Sequence, residues 1–136
     1  MPDTADAVWL EMSKFVIDNK DTWKRAVVER TGLPFSRIRI LRRLVREPLT
    51  VKQIAQAATV DAPAATVAVN DLEERGLVVR EVDPSNRRCK VVSLTGEGRA
   101  MVQVIEGIDD PAPASLRALD GSELTALRDL LAKLRA

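Results

Sequence analysis

The chain has no histidine, no tyrosine, a single cysteine and an aromatic fraction of only 3%. Without histidine or clustered cysteine, the usual zinc sites cannot be built. The lone thiol, Cys89, cannot close an internal disulfide, which points to the cytoplasm as the compartment. The sequence contains no GxxxxGK[ST] or GxGxxG run to cradle phosphates. It also shows no signal peptide, lipidation motif or membrane-length apolar stretch, so no membrane association is expected. An enzyme, a metalloprotein or a nucleotide-cofactor protein would need parts that are missing, and no cofactor is expected.

What remains is a chain of 136 residues with 46% apolar and 30% charged positions, enough for one domain with a real core. Leu, Val, Ala and Ile must build that core. The net charge of +1 hides an uneven distribution. From Lys24 to Arg99 there are 15 Lys/Arg against 9 Asp/Glu, whereas the two ends together hold 6 against 11. A basic middle between acidic ends fits a middle that meets a polyanion.

Val8, Met12, Phe15, Val16, Asn19, Trp23, Ala26 and Val27 recur at steps of three and four, which predicts one long helix from about Ala5 to Arg30, stopped by Gly32. Pro34 opens a second helix with Phe35, Ile38, Leu41 and Val45 on its apolar face, ending before Pro48. Thr50 caps a third, short helix, "VKQIAQAA". Asp61 caps a fourth, with Pro63 in its first turn and Gly76 as its stop. "LVVREV" and "KVVSLT" read as two strands joined by "DPSNRRC". Thr95 caps a fifth helix to about Ile108, and after "DDPAPA" a leucine-rich helix runs from about Ser122 to Arg135. The fold class expected is mainly α with a small antiparallel β wing. The ends suit a dimer layer as well as a monomer core.

Two short helices joined by a tight turn and followed by a hairpin make a winged helix-turn-helix. In that motif the second helix of the pair enters the major groove. Candidate contacts on it are Asp61, Ala64, Ala65, Thr66 and Asn70, the alanines offering methyls for thymine. Thr50, Lys52 and Gln53 open the preceding helix, whose N-terminal amides suit a phosphate oxygen, although Thr50 also serves as a plain cap. On the wing, Arg87 is the candidate for a narrow minor groove, with Lys90 nearby. Arg88 either joins Arg87 or pairs with Asp83 to stiffen the turn. Arg39, Arg43 and Arg46 line one side of the second helix and meet either phosphate or water. Cys89, flanked by Arg88 and Lys90, is either an inert surface thiol or a redox-sensitive one.

The segments "LEERGLVVRE" (Leu72–Glu81) and "DPSNRRCKVVSLTGEGRAM" (Asp83–Met101) resemble the MarR family of transcriptional regulators. They match its L-E-x-x-G-L-[IV]-x-R segment, its D-P-x-[DN]-R-R wing and its V-x-L-T-x-x-G join between strand and helix. The order of elements, six helices and one wing, is similar along nearly the whole chain. The resemblance implies a homodimer on a pseudo-palindromic double-stranded operator. Residues 1–32 and 96–136 would form the dimerisation layer, and residues 33–95 the winged domain. It further implies a repressor released by a small aromatic carboxylate or phenolic effector. One departure from the family is the start of the recognition helix, "DAPAATV" (Asp61–Val67), where alanines and a valine stand in place of polar groups. That shifts specificity toward the wing and DNA shape.

An effector pocket would lie where the first, second and fifth helices meet, lined by Asn19, Trp23, Phe35, Ile38, Arg42 and Met101. Trp23 and Phe35 are core or pocket. Asn19 is a buried amide paired across a dimer or a ligand contact. Arg42 falls on the side of Ile38 and Val45, so partial burial is expected. Its anionic partner would be Glu73, Glu74 or a bound carboxylate. Two other readings remain. One is a winged-helix protein-interaction module that does not bind DNA, and the other is a redox-sensing regulator using Cys89.

Overall fold

The computed structural model describes residues 4–135. The outermost positions of the two terminal segments, residues 1–3 and 136, lie outside the described residues. The elements are α1 (Thr4–Asp18), α2 (Asp21–Thr31), α3 (Phe35–Leu44), α4 (Val51–Ala58), α5 (Ala62–Glu74), β1 (Val78–Asp83), β2 (Asn86–Leu94), α6 (Gly96–Glu106), α7 (Ala114–Arg117) and α8 (Gly121–Leu134). They fall into two compact units. One is Lys20–Asp109, and the other joins residues 4–19 to residues 110–135.

The expected long first helix is instead two helices, α1 and α2. Its apolar rhythm is continuous, but Asn19 interrupts the backbone ladder. Its side-chain amide donates to the Phe15 carbonyl at 2.7 Å, and its backbone N–H turns back to Val16 O at 3.2 Å. Asparagine offers the backbone an alternative to the next helical bond. Asp21 then begins α2 with a negative charge near its N-terminus. The short helix α7 adds another element the sequence reading did not contain.

The winged unit is built on Val27, Leu33, Ile38, Leu41, Ile54, Val69, Leu72, Val92 and Ile105, all essentially free of solvent. Local signals set its frame. Thr50 and Gln53 form a reciprocal capping box at α4: the Gln53 N–H donates to Thr50 Oγ1 at 3.1 Å, and the Thr50 N–H donates to Gln53 Oε1 at 2.9 Å. Asp61 accepts the Ala64 N–H at 2.7 Å, and Pro63 sits in the first turn of α5. Gly76 ends α5's turn at φ +77°, in the left-handed region open to glycine.

β1 and β2 pair antiparallel from Val78↔Leu94 to Val82↔Lys90, with an irregularity before Asp83↔Asn86. Leu49 joins this ladder through a reciprocal bridge to Val92, with bonds of 3.1 and 2.7 Å. At the join into α6, the Thr95 hydroxyl donates to Gly76 O at 2.6 Å and accepts the Gly98 N–H at 3.0 Å. A Cβ on Gly98 would collide with the Leu77 carbonyl, so this glycine is what lets α6 pack against the hairpin.

The terminal unit has no buried residue among those described in α1 or α8. Val8, Trp9, Leu10, Phe15, Val16 and Ile17 on α1 are exposed, as are Leu124, Leu127, Leu130, Leu131 and Leu134 on α8. Leu116 of α7 and Leu124, Leu127, Leu131 and Leu134 of α8 line an open groove of about 500 Å³ with Arg128 and Arg135 at its edge.

Candidate nucleic-acid interface

The candidate residues lie on the outer face of α5, the start of α4 and the hairpin. On α5, Asp61, Ala64, Thr66 and Asn70 are exposed. Ala65 requires correction as a contact: it is 0% exposed, so its methyl belongs to the core and is closed to a base. Val67 takes that place. It is 60% exposed beside Thr66, and sequence reasoning passed it over because valine is ordinarily core-forming.

Polar capacity on this face is partly committed. Thr66 Oγ1 donates to Ala62 O at 3.0 Å, and Asp61 is held by its cap. Asn70 Oδ1 accepts from the Arg80 guanidinium, which reaches across from β1. Because arginine can only donate, this bond fixes the amide with its oxygen toward Arg80 and leaves the NH₂ donors for other partners. Arg80 also lies 3.6 Å from Glu73, an ion pair too long for a hydrogen bond. Arg80 therefore ties the wing to the recognition helix. Nothing in the local sequence marks it, since its partners are seven and ten residues away.

A second tie joins α3 to α5. Arg37 Nε donates to Asp71 at 3.1 Å, and Arg75 Nε shares the same carboxylate at 3.2 Å. The hydrogen bond from Arg37 is the main reason the Asp71 carboxyl is held below its ordinary range.

On the wing, β2 begins at Asn86, so Arg87 and Arg88 stand on the strand and Pro84–Ser85 form the turn. The expected seven-residue connection is thus shorter. The reason is local: Asp83 Oδ1 accepts both the Ser85 N–H at 3.0 Å and the Ser85 hydroxyl at 2.8 Å, closing an Asx turn. Those bonds hold the Asp83 carboxyl below its ordinary range. Of the two alternatives for Arg88, the pair with Asp83 is not formed. The Arg88 backbone N–H instead donates to Asn86 Oδ1 at 3.2 Å. Arg87, Arg88 and Lys90 are exposed, and among the described residues none forms an ion pair. Lys52 is exposed at the start of α4, beside the Thr50–Gln53 box. Cys89 is half-buried, and the Asn86 amide approaches its sulfur at 3.5 Å.

The residues expected to line an effector pocket are placed differently. Ile38 is fully buried in the core. Trp23 is 9% exposed and meets Phe35 edge-on at 5.9 Å, and Met101 packs against the same core. Asn19 belongs to the other unit, where it is exposed and bonded to Phe15. Arg42 is exposed rather than partly buried, and Val45 is exposed as well. Its long stem carries the guanidinium to 5.1 Å from the Trp23 ring centre, a cation–π contact that needs no carboxylate. Glu73, considered as its partner, belongs to Arg80. Lys20 lies 4.7 Å from the Trp23 ring and Lys24 5.1 Å from Phe35, so the aromatic pair carries a cationic rim.

Residues 31–88 match the family model for the MarR family. The fold is similar to that of a MarR family protein from Bacillus stearothermophilus, with a TM-score of 0.78 and 19% identity, covering 99% of this chain and 96% of that one. It is similar to CouR from Rhodococcus jostii bound to p-coumaroyl-CoA (TM-score 0.68, 23% identity, 98% and 95% covered). It is also similar to a MepR variant from S. aureus bound to an oligodeoxyribonucleotide (TM-score 0.59, 23% identity, 97% and 96% covered). The family match covers the helix-turn-helix and reaches the wing as far as Arg88, short of the join between β2 and α6, and the solved structures share the fold over nearly the full length. The chain has the winged-helix fold of these proteins, and its residues 31–88 carry the MarR-family match.

Proposed function

We propose that the protein is a dimeric, sequence-specific DNA-binding repressor acting on a pseudo-palindromic operator. The observation that carries this is the pairing of an outward α5 face, tied to the hairpin by Arg80, with three exposed hairpin cations that have no internal acid. Arginines that serve the fold have acidic partners here: Arg37 and Arg75 on Asp71, Arg80 on Glu73. Arg87, Arg88 and Lys90 have none among the described residues, and phosphate or a minor groove supplies the missing charge. Ala64, Val67 and the Asn70 amide read bases, with Thr66 and Asp61 beside them. Lys52 meets phosphate near the α4 N-terminus, with Thr50 and Gln53 fixing that end. The DNA-bound MepR variant has a similar fold.

A second copy covers the apolar faces of α1 and α8. Five exposed leucines on one helix would each gain roughly 1.5–3 kcal/mol on full burial, too much to leave in water without a partner. The effector is a small aromatic acid or phenol at the cationic rim of Trp23 and Phe35, where Arg42 would meet a carboxylate with Met101 and Ile38 behind the rings. It releases DNA by binding the DNA-incompetent state more tightly. CouR, bound to p-coumaroyl-CoA, shows an aromatic acyl ligand on a similar fold.

The test begins with selection of a duplex from a random pool. The parent, Arg87→Ala and Arg88→Ala are then titrated against that duplex at several salt concentrations. Loss of Arg87 should weaken binding by about 1–3 kcal/mol and lower the salt slope by about one unit. A parent that enriches no sequence, or an Arg87 variant with unchanged affinity and slope, would overturn the assignment.

A further inference from the structure

The arginines of α3 divide into two groups. Arg37 points toward α5 and is neutralised by Asp71. Arg39, Arg42, Arg43 and Arg46 are all exposed, and together they line one open basin of about 320 Å³. At 100° per residue, the mean direction of these four lies roughly 170° around the helix from Arg37. They therefore face away from the Arg37–Asp71 link to α5.

Among the described residues none of the four forms an ion pair. Their spacings are i,i+3 and i,i+4, at which like charges destabilise a helix by about 0.2–0.5 kcal/mol per pair. A lysine could shed its proton to relieve this, but arginine cannot. One wall of the basin is fixed in advance. Arg42 lies against Trp23, which is itself locked edge-on to Phe35. Four permanent charges gathered in a concavity of small-ligand size, with no acid to meet them, describe a receptor for a multivalent anion.

We propose that this basin binds a phosphate-bearing small molecule with at least two phosphoryl groups, of the diphosphate class. A single carboxylate would leave most of the positive charge unmatched, whereas a diphosphate brings three to four negative charges and several acceptor oxygens suited to guanidinium forks. Lys20 and Arg42 already cover the Trp23 ring, so recognition rests on the phosphate portion rather than on stacking. The site stands independently of the DNA-binding reading.

The experiment is calorimetry of the full chain with inorganic pyrophosphate at low ionic strength, with orthophosphate and benzoate as comparison probes. The variants are Arg39→Gln with Arg43→Gln, and the charge-keeping pair Arg39→Lys with Arg43→Lys. Both positions are exposed, so the lysine pair should melt with the parent and the glutamine pair, relieved of like-charge repulsion, at or slightly above it. The expected result is saturable binding of one pyrophosphate per chain, with orthophosphate and benzoate weaker. The glutamine pair should weaken it by about tenfold or more, equivalent to at least one lost charge-assisted hydrogen bond, and the lysine pair should weaken it less. Absence of saturable binding by the parent would overturn the site and leave the DNA titration untouched. Binding unaffected by the glutamine pair would place the anion elsewhere. A glutamine pair that spares pyrophosphate but lowers the DNA salt slope by about two units would give this face to the duplex instead.

Discussion

Arg80→Met removes the side chain that ties the hairpin to α5 by a hydrogen bond and an ion pair. Two interactions disappear. The Arg80–Glu73 pair, 3.6 Å apart and with side chains 25% and 44% exposed, lies in the range of about 0–1 kcal/mol for solvated ion pairs. The bond to Asn70 has a charged donor and a neutral acceptor. Such bonds reach about 1.5–3 kcal/mol when desolvated, and the exposure of Asn70 brings this one toward about 1 kcal/mol. Methionine keeps much of the stem, so little packing is lost. The sum is about 1–2 kcal/mol of stability, read as a lower urea midpoint with unchanged slope. DNA affinity should fall as well, since α5 and the wing must meet one duplex at a fixed mutual angle. A double-mutant cycle with Asn70→Ala isolates the link, and coupling of about 0.5–1.5 kcal/mol is expected. If the two substitutions add within about 0.3 kcal/mol, Arg80 does not hold Asn70 and the tie is not real.

Gly98→Ala should cost about 1–3 kcal/mol, because the new Cβ would meet the Leu77 carbonyl and force α6 away from the hairpin. A thermal melt within a degree of the parent would refute that close approach. Asp71 is held below its ordinary pKa chiefly by Arg37, so its contribution to stability is fully present above the unfolded carboxylate value of about 3.9 and is lost as pH falls through the lower folded value. The stability gap between the parent and Asp71→Asn should therefore be wide at pH 7 and close at strongly acid pH. A gap independent of pH would remove the Arg37–Asp71–Arg75 link. Leu127→Glu with Leu131→Glu, on the open groove of α8, should shift sedimentation from dimer to monomer without unfolding the Lys20–Asp109 unit, and a stable dimer of this variant would place the interface elsewhere.

Features decided within a few residues were legible in the sequence. The Thr50 cap, the Asp61 cap with Pro63 and the glycine stops at Gly32 and Gly76 appear where expected, because each closes its hydrogen bonds within one turn. The break at Asn19 was hidden because the apolar rhythm runs through it. Periodicity reports which face is buried and not whether the backbone ladder is continuous. The outer part of β2 was read as loop for a related reason: "NRRC" shows no apolar alternation. Ala65 and Val67 exchanged roles because a helical position's exposure depends on what packs against it, and residue type is a weak guide when the helix is alanine-rich.

The charged residues were least legible, and they carry most of the functional argument. A run of arginines in sequence does not say which are spoken for. Asp71 lies 34 residues from Arg37, and Asn70 and Glu73 lie ten and seven residues from Arg80. Once those acids are assigned, two groups stand out among the remaining cations. Arg87, Arg88 and Lys90 lie on the wing, while Arg39, Arg42, Arg43 and Arg46 lie on the side of α3 turned away from the Arg37–Asp71 link. The basic middle of the sequence is therefore two surfaces with different geometry. The wing cations are carried on a two-stranded hairpin, where they can follow a groove. The α3 arginines enclose a basin. A convex polyanion suits the first arrangement and a compact one the second, so the two surfaces call for partners of different size even though both partners would be anions.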